Sequence, residues 1–190
     1  MSTRRYVTVW DPLVRIFHWS VATLFLLNYW LLEPGETLHE WAGYAIAGLL
    51  VIRIVWGWAG SHNARFASFW PTPTRLRRHV QQLRKREFDP TEGHNPLGAL
   101  MIFFLLSLLA LTAVSGWMQG LDRFWGEDWV EQLHEYTATT LMVAVVLHVG
   151  AVILMSRFSG LSLIRTMISG RRPLLPPSGT SPIPADKTSR

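Results

Sequence analysis

Four of the seven histidines, His18, His39, His134 and His148, stand in or at the ends of long apolar stretches, where an ionisable side chain is costly and marks a functional-site candidate. Their spacing sorts them into two levels. His18 lies near the start of the first stretch, and His39 opens the second, which must run back the other way. His134 opens the last stretch, and His148 follows fourteen residues later. That separation is a rise of roughly 21 Å and close to four helical turns, so both side chains point to one face. His39 and His134 then share one level, and His18 and His148 the other. Each level pairs an imidazole of the last helix with one from a different helix. Two imidazoles facing across a bundle interior are the axial pair that a six-coordinate haem requires, because the porphyrin supplies four equatorial nitrogens. The competing reading is a set of hydrogen-bonded or interfacial histidines without metal.

The chain contains no Cys, which removes disulfides, thiolate metal sites, Cys-ligated iron–sulfur clusters and covalent c-type haem attachment. Any metal must be held by His or carboxylate. Arg53 follows His39 by fourteen residues and Arg15 precedes His18 by about one turn. Both are therefore candidates to neutralise a haem propionate or to contact a quinone. The alternative for each is an interfacial arginine reaching lipid phosphate. His94 precedes Asn95-Pro96, an N-cap followed by proline at the first helical position. It either packs at that helix end or serves as a quinone contact or proton relay. His62 and His79 read as solvated. Small residues (Gly43, Ala45, Ala47 and Gly48; Ala138, Ala144 and Gly150) leave room for a ring, or serve ordinary close packing between helices.

The elements that must position these residues are membrane helices. Of 190 residues, 49% are hydrophobic and only 16% charged, too few charges for an ordinary soluble domain and too many apolar side chains for a disordered chain. Apolar runs predict spans at about 15–32, 38–58, 96–118 and 132–155, each near the roughly 20 residues that cross a hydrocarbon core. The expected fold is all-α, an integral membrane four-helix bundle with the cofactors in its interior. Residues 1–14 form a leading segment, 59–95 a loop on the same side, and 171–190, rich in Pro, Ser, Thr and Arg, a disordered tail. Every Lys and Arg except Arg123 falls on the side of the termini. The opposite side collects Glu33, Glu36, Glu40, Asp122, Glu127, Asp128, Glu131 and Glu135. This asymmetry makes the terminal side cytoplasmic and accounts for the net charge of +5 without any nucleic acid. In the loop, Leu76, Val80 and Leu83 recur at helical spacing among Arg and Lys, the pattern of a short helix on anionic headgroups or of a solvated basic loop.

Val9-Trp10-Asp11-Pro12-Leu13-Val14-Arg15-Ile16-Phe17-His18-Trp19, Leu38-His39-Glu40-Trp41-Ala42-Gly43 and Arg53-Ile54-Val55-Trp56-Gly57 together resemble the bacterial cytochrome b561 family, which is similar to the b-type cytochrome subunits of nickel–iron hydrogenases. Ala64 to Phe69, Gly93 to Gly98, His134-Glu135 and Leu147-His148 extend the resemblance over about residues 6–170. It implies a four-helix membrane cytochrome of the bacterial inner membrane with two non-covalent b haems, His18 paired with His148 and His39 with His134. It also implies exchange with a quinone, ubiquinone or menaquinone, and a redox partner such as a hydrogenase-type dehydrogenase, a periplasmic cytochrome c or superoxide.

Bis-histidine ligation leaves iron no open site, so the expected function is outer-sphere electron transfer without catalytic residues. The sequence does not choose between a proton route at His94 with the arginine-rich rim and one at Glu40 and Glu135. Two other functions use the same features: a His-dependent metal transporter, and a structural anchor for a partner enzyme. A transporter favours carboxylate and His ligands near mid-membrane, and no acid lies mid-span here.

Overall fold

The computed structural model describes residues 6–85 and 96–173. Its chain runs β1 (Tyr6–Thr8), α1 (Pro12–Trp30), α2 (Thr37–Ala59), two single 3-10 turns (His62–Ala64 and Phe66–Phe69), α3 (Pro73–Lys85), α4 (Pro96–Gln119), α5 (Asp128–Ser159), α6 (Leu163–Ser169) and β2 (Arg171–Pro173).

Local chemistry explains the helix ends. The Asp11 side chain accepts the Val14 backbone N–H at 2.9 Å, with Pro12 at the first helical position. That proline has no N–H to leave unsatisfied and a φ already suited to helix. The first connection turns sharply enough to need Gly35 at φ +80, a conformation that costs glycine little. α1 therefore starts three residues ahead of the expected span, at its cap. α5 likewise outruns its expected span at both ends, and its 32 residues extend about 48 Å.

Three helices, α2, α4 and α5, are long and apolar enough to cross a membrane. α1, with 19 residues, carries Arg15, His18, Ser20 and Asn28 and falls short of that standard on polarity. It nevertheless packs with the others: Phe25 of α1, Ile46 and Leu50 of α2, Leu108 and Leu109 of α4, and Leu141 and Ala144 of α5 form one buried apolar cluster. Large side chains facing away from it, among them Val55, Phe104, Leu111 and Val146, are exposed. Apolar surface on this scale suits a hydrocarbon solvent.

The two strands are a small addition to an otherwise helical fold. β1 and β2 pair antiparallel, Tyr6 opposite Pro173 and Thr8 opposite Arg171. The segment expected to be a tail from residue 171 thus begins as a strand. The reason is local: the Val9 and Trp10 backbone N–H groups both donate to the Gly170 carbonyl, at 2.9 and 3.2 Å. Residues 174–190 lie outside the described part.

In α3, Arg75, Arg77 and Arg78 are exposed and Leu76 is half-buried. His79 departs from expectation. It is 5% exposed, because it lies one turn after Arg75, on the face of α3 from which Arg75 donates back to the Ser68 carbonyl at 2.9 Å; His62 is exposed as expected.

Candidate functional site

The structure brings the four span histidines together as two facing pairs. The ring centroids of His39 and His134 are 6.2 Å apart with planes inclined at 70°, and those of His18 and His148 are 6.5 Å apart at 57°. A metal binds an imidazole nitrogen at about 2 Å, and the ring centroid lies roughly 1 Å further back, so two imidazoles on opposite sides of one metal ion have centroids roughly 6 Å apart. Both gaps therefore fit one ion between the rings.

The donor chemistry fits as well. His134 Nδ1 lies 3.0 Å from the Thr112 carbonyl oxygen, a contact that places the proton on Nδ1 and leaves Nε2 as the metal-binding lone pair. The Nδ1 atoms of His18 and His39 are buried with no hydrogen-bond partner among the described residues, a state that costs free energy until a ligand or partner relieves it. Among the described residues no group of three or more His, Cys, Asp or Glu could hold a metal ion. Isolated imidazole pairs need a cofactor that brings the remaining donors, which is what a porphyrin does. One turn after His39 on the same face of α2, a Cβ placed on Gly43 would meet nothing within 4 Å, whereas Gly48 and Gly150 are exposed on the outside of their helices.

The two arginines occupy different settings. Arg53 is 3% exposed; its Nη2 donates to the Ala64 carbonyl at 3.2 Å and its guanidinium lies 4.7 Å from the centroid of the Phe66 ring. Its Nη1 is buried with no partner among the described residues. Arg15 instead donates through Nη2 to the Ile168 carbonyl, at the C-terminal end of α6, where a cation meets unsatisfied carbonyls. The position of His94 lies outside the described residues.

A polar hub beside Arg53 has little signature in the sequence. Asp11 accepts not only from Val14 but from the Trp56 indole N–H at 3.0 Å and from the Ser61 hydroxyl, and Asn63 donates to the Val9 carbonyl at 3.0 Å. Burial pushes the Asp11 carboxyl upward, but the hydrogen bonds from Ser61, Val14 and Trp56, with the Arg53 charge, outweigh it and hold the carboxyl below its ordinary range. Asp11-Pro12 was readable as a helix start; its contacts with residues 45 and 50 positions away carry no local signal. Thr112 and Ser115 were missed too. The available hint was the set of three hydroxyls, Ser107, Thr112 and Ser115, in an otherwise apolar α4.

These features define a helical membrane protein with two pairs of facing, half-buried imidazoles. The family model for prokaryotic cytochrome b561 matches residues 9–170, and the chain belongs to that family. Among similar proteins, the "Probable Ni/Fe-hydrogenase B-type cytochrome subunit" of Rhizobium leguminosarum bv. viciae is 26% identical, over 89% of this chain and 90% of its own. The protein of the same description in Azotobacter vinelandii is 28% identical, over 87% and 88%. That of Cupriavidus necator is 27% identical, over 86% of each. No solved structure matches the chain.

Proposed function

We propose that the protein is a di-haem b-type cytochrome, a four-helix bundle that carries electrons across or within the bacterial cytoplasmic membrane, between the quinone pool and a redox partner protein. The observation that carries this reading is the occurrence of two imidazole pairs at separations of 6.2 and 6.5 Å in a member of the cytochrome b561 family. His39 and His134 would hold one haem b and His18 and His148 the other. A bound haem supplies a one-electron ferric/ferrous couple, its potential set by axial ligation and burial.

The chain's own residues do the rest. α5 carries one ligand for each site and sets their vertical separation at roughly 21 Å by helix rise. The apolar cluster of Phe25, Ile46, Leu50, Leu108, Leu109, Leu141 and Ala144 excludes water from the space between the two levels. Arg53, with a buried Nη1 free of partners among the described residues, is the cation for a propionate or a quinone oxygen at the His18/His148 level. Arg15 and His94 are the further candidates for that role, and Arg15 would have to leave the Ile168 carbonyl to take it. The basic side, with both termini, is cytoplasmic. The descriptions of the hydrogenase-associated relatives support a redox enzyme as partner.

An absorption spectrum of the purified protein, oxidised and dithionite-reduced, tests the reading. A Soret band, a reduced alpha band and two extractable haems per chain are expected. A colourless protein that yields no haem on extraction would overturn it.

A further inference from the structure

α4 carries none of the four histidines, yet it touches one of them closely. His134 lies on the turn from Thr112 to Gly116. Its Nδ1 is 3.0 Å from the Thr112 carbonyl oxygen and 3.3 Å from Ser115 Oγ, while the Ser115 hydroxyl donates to the same carbonyl at 3.1 Å. Inside α4 that carbonyl also accepts the Gly116 backbone N–H, so the Ser115 hydroxyl and the imidazole N–H share its remaining lone pair. Having given its own proton to that carbonyl, Ser115 Oγ is left to accept from the imidazole N–H. Ser115 is 1% exposed, so water does not replace it. Against the ring itself α4 presents bare backbone: a Cβ on Gly116 would stand 2.9 Å from His134 Cε1 and 3.2 Å from Nδ1. Such an approach cannot be met without moving the ring. His18 and His39 have no such support, since their Nδ1 atoms are unpartnered among the described residues.

We propose that Ser115 and Gly116 are positioning residues for His134. Gly116 fixes the distance and plane of the imidazole, and Ser115, with the Thr112 carbonyl, fixes its tautomer and raises its basicity. This inference rests on the haem-binding reading above. A more basic axial imidazole favours ferric over ferrous iron, so a helix without ligands lowers the reduction potential of the His39/His134 centre and leaves the other centre alone.

The test uses the haem-loaded full-length protein in detergent, with potentiometric titration, haem quantification and EPR of the ferric low-spin signals. His134→Ala identifies which signal belongs to the centre. Ser115→Ala is expected to keep both haems and to raise the potential of that centre alone, by about threefold or more in its reduction equilibrium, ~28 mV at ~59 mV per tenfold for one electron. Ser115→Thr, which keeps the hydroxyl, restores it. Gly116→Ala is expected to lose that haem or shift its EPR signal, although the same change inside a helix ordinarily stabilises. If Gly116→Ala does not accumulate, Ser115→Ala decides alone. Two wild-type midpoints in Ser115→Ala, or an equal shift of both, would overturn the proposal. A wild-type protein without haem, or a His134→Ala protein that keeps two, would instead overturn the haem reading beneath it.

Discussion

The indole N–H of Trp56 donates to the Asp11 carboxylate across 3.0 Å, joining the end of α2 to the start of α1. The same carboxylate caps α1 through Val14 and accepts from Ser61 beyond α2. One acid thus closes the end of the bundle beneath His18.

Asp11→Ala should therefore lower the thermal midpoint in detergent by more than loss of an ordinary N-cap, which costs about 1 kcal/mol. The pH dependence has a definite sign. The folded carboxyl is held below its ordinary value of 3.8, so its contribution is fully present above that value and is lost as pH falls through the lower, folded one. Wild type should lose stability relative to Asp11→Asn on acidification through this window. Parallel midpoints for the two proteins across it would contradict the prediction.

The four histidines should be interchangeable within a pair and independent between pairs. His39→Ala and His134→Ala should each remove about one haem, and the double variant should remove no more than either single one. Combining His39→Ala with His148→Ala should remove both. Haem content per protein, read from the pyridine haemochrome, decides; loss of both haems in any single variant would argue against separate sites.

Arg53 lies at the level of His18 and His148 by its spacing from His39. A positive charge favours the reduced state of a nearby centre, so Arg53→Gln should lower the potential of the His18/His148 centre and spare the other. Arg53→Lys keeps the charge but not the planar guanidinium over Phe66, and should preserve the potential better than the stability. Unchanged midpoints in Arg53→Gln would remove it from the site.

Gly57→Ala places a Cβ 2.1 Å from Phe66 Cε2. Phe66 must move off Arg53 and off Phe103, whose ring centroid is 5.5 Å away. Overpacking of this kind costs about 1–3 kcal/mol. Thermal unfolding of the variant beside wild type measures it, and an unchanged midpoint would show that the aromatic cluster yields freely.

The helical period makes the histidine pairs readable in the sequence itself. Position 148 repeats the direction of 134 after four turns, and the apolar runs supply the direction of each helix. Arg15 was less readable, because its partner is a backbone carbonyl, Ile168, which no residue type announces. The strand from Arg171 was hidden for the same reason: its composition speaks for a tail, and its fixation comes from Gly170 carbonyl bonds to Val9 and Trp10. α1 shows the opposite limit. A span is expected over about 15–32, and His18, Ser20 and Asn28 leave that helix more polar than α2, α4 and α5.

The pairing of Tyr6–Thr8 with Arg171–Pro173 also bears on how the molecule is made. It joins the two ends of the described chain, so the enclosed loop is nearly the whole sequence, and its closure entropy is the largest of any contact in the fold. Such a contact forms late. During synthesis β1 has no partner until β2 follows, after every long helix of the described chain has been made. The strand pair is thus the final latch of assembly.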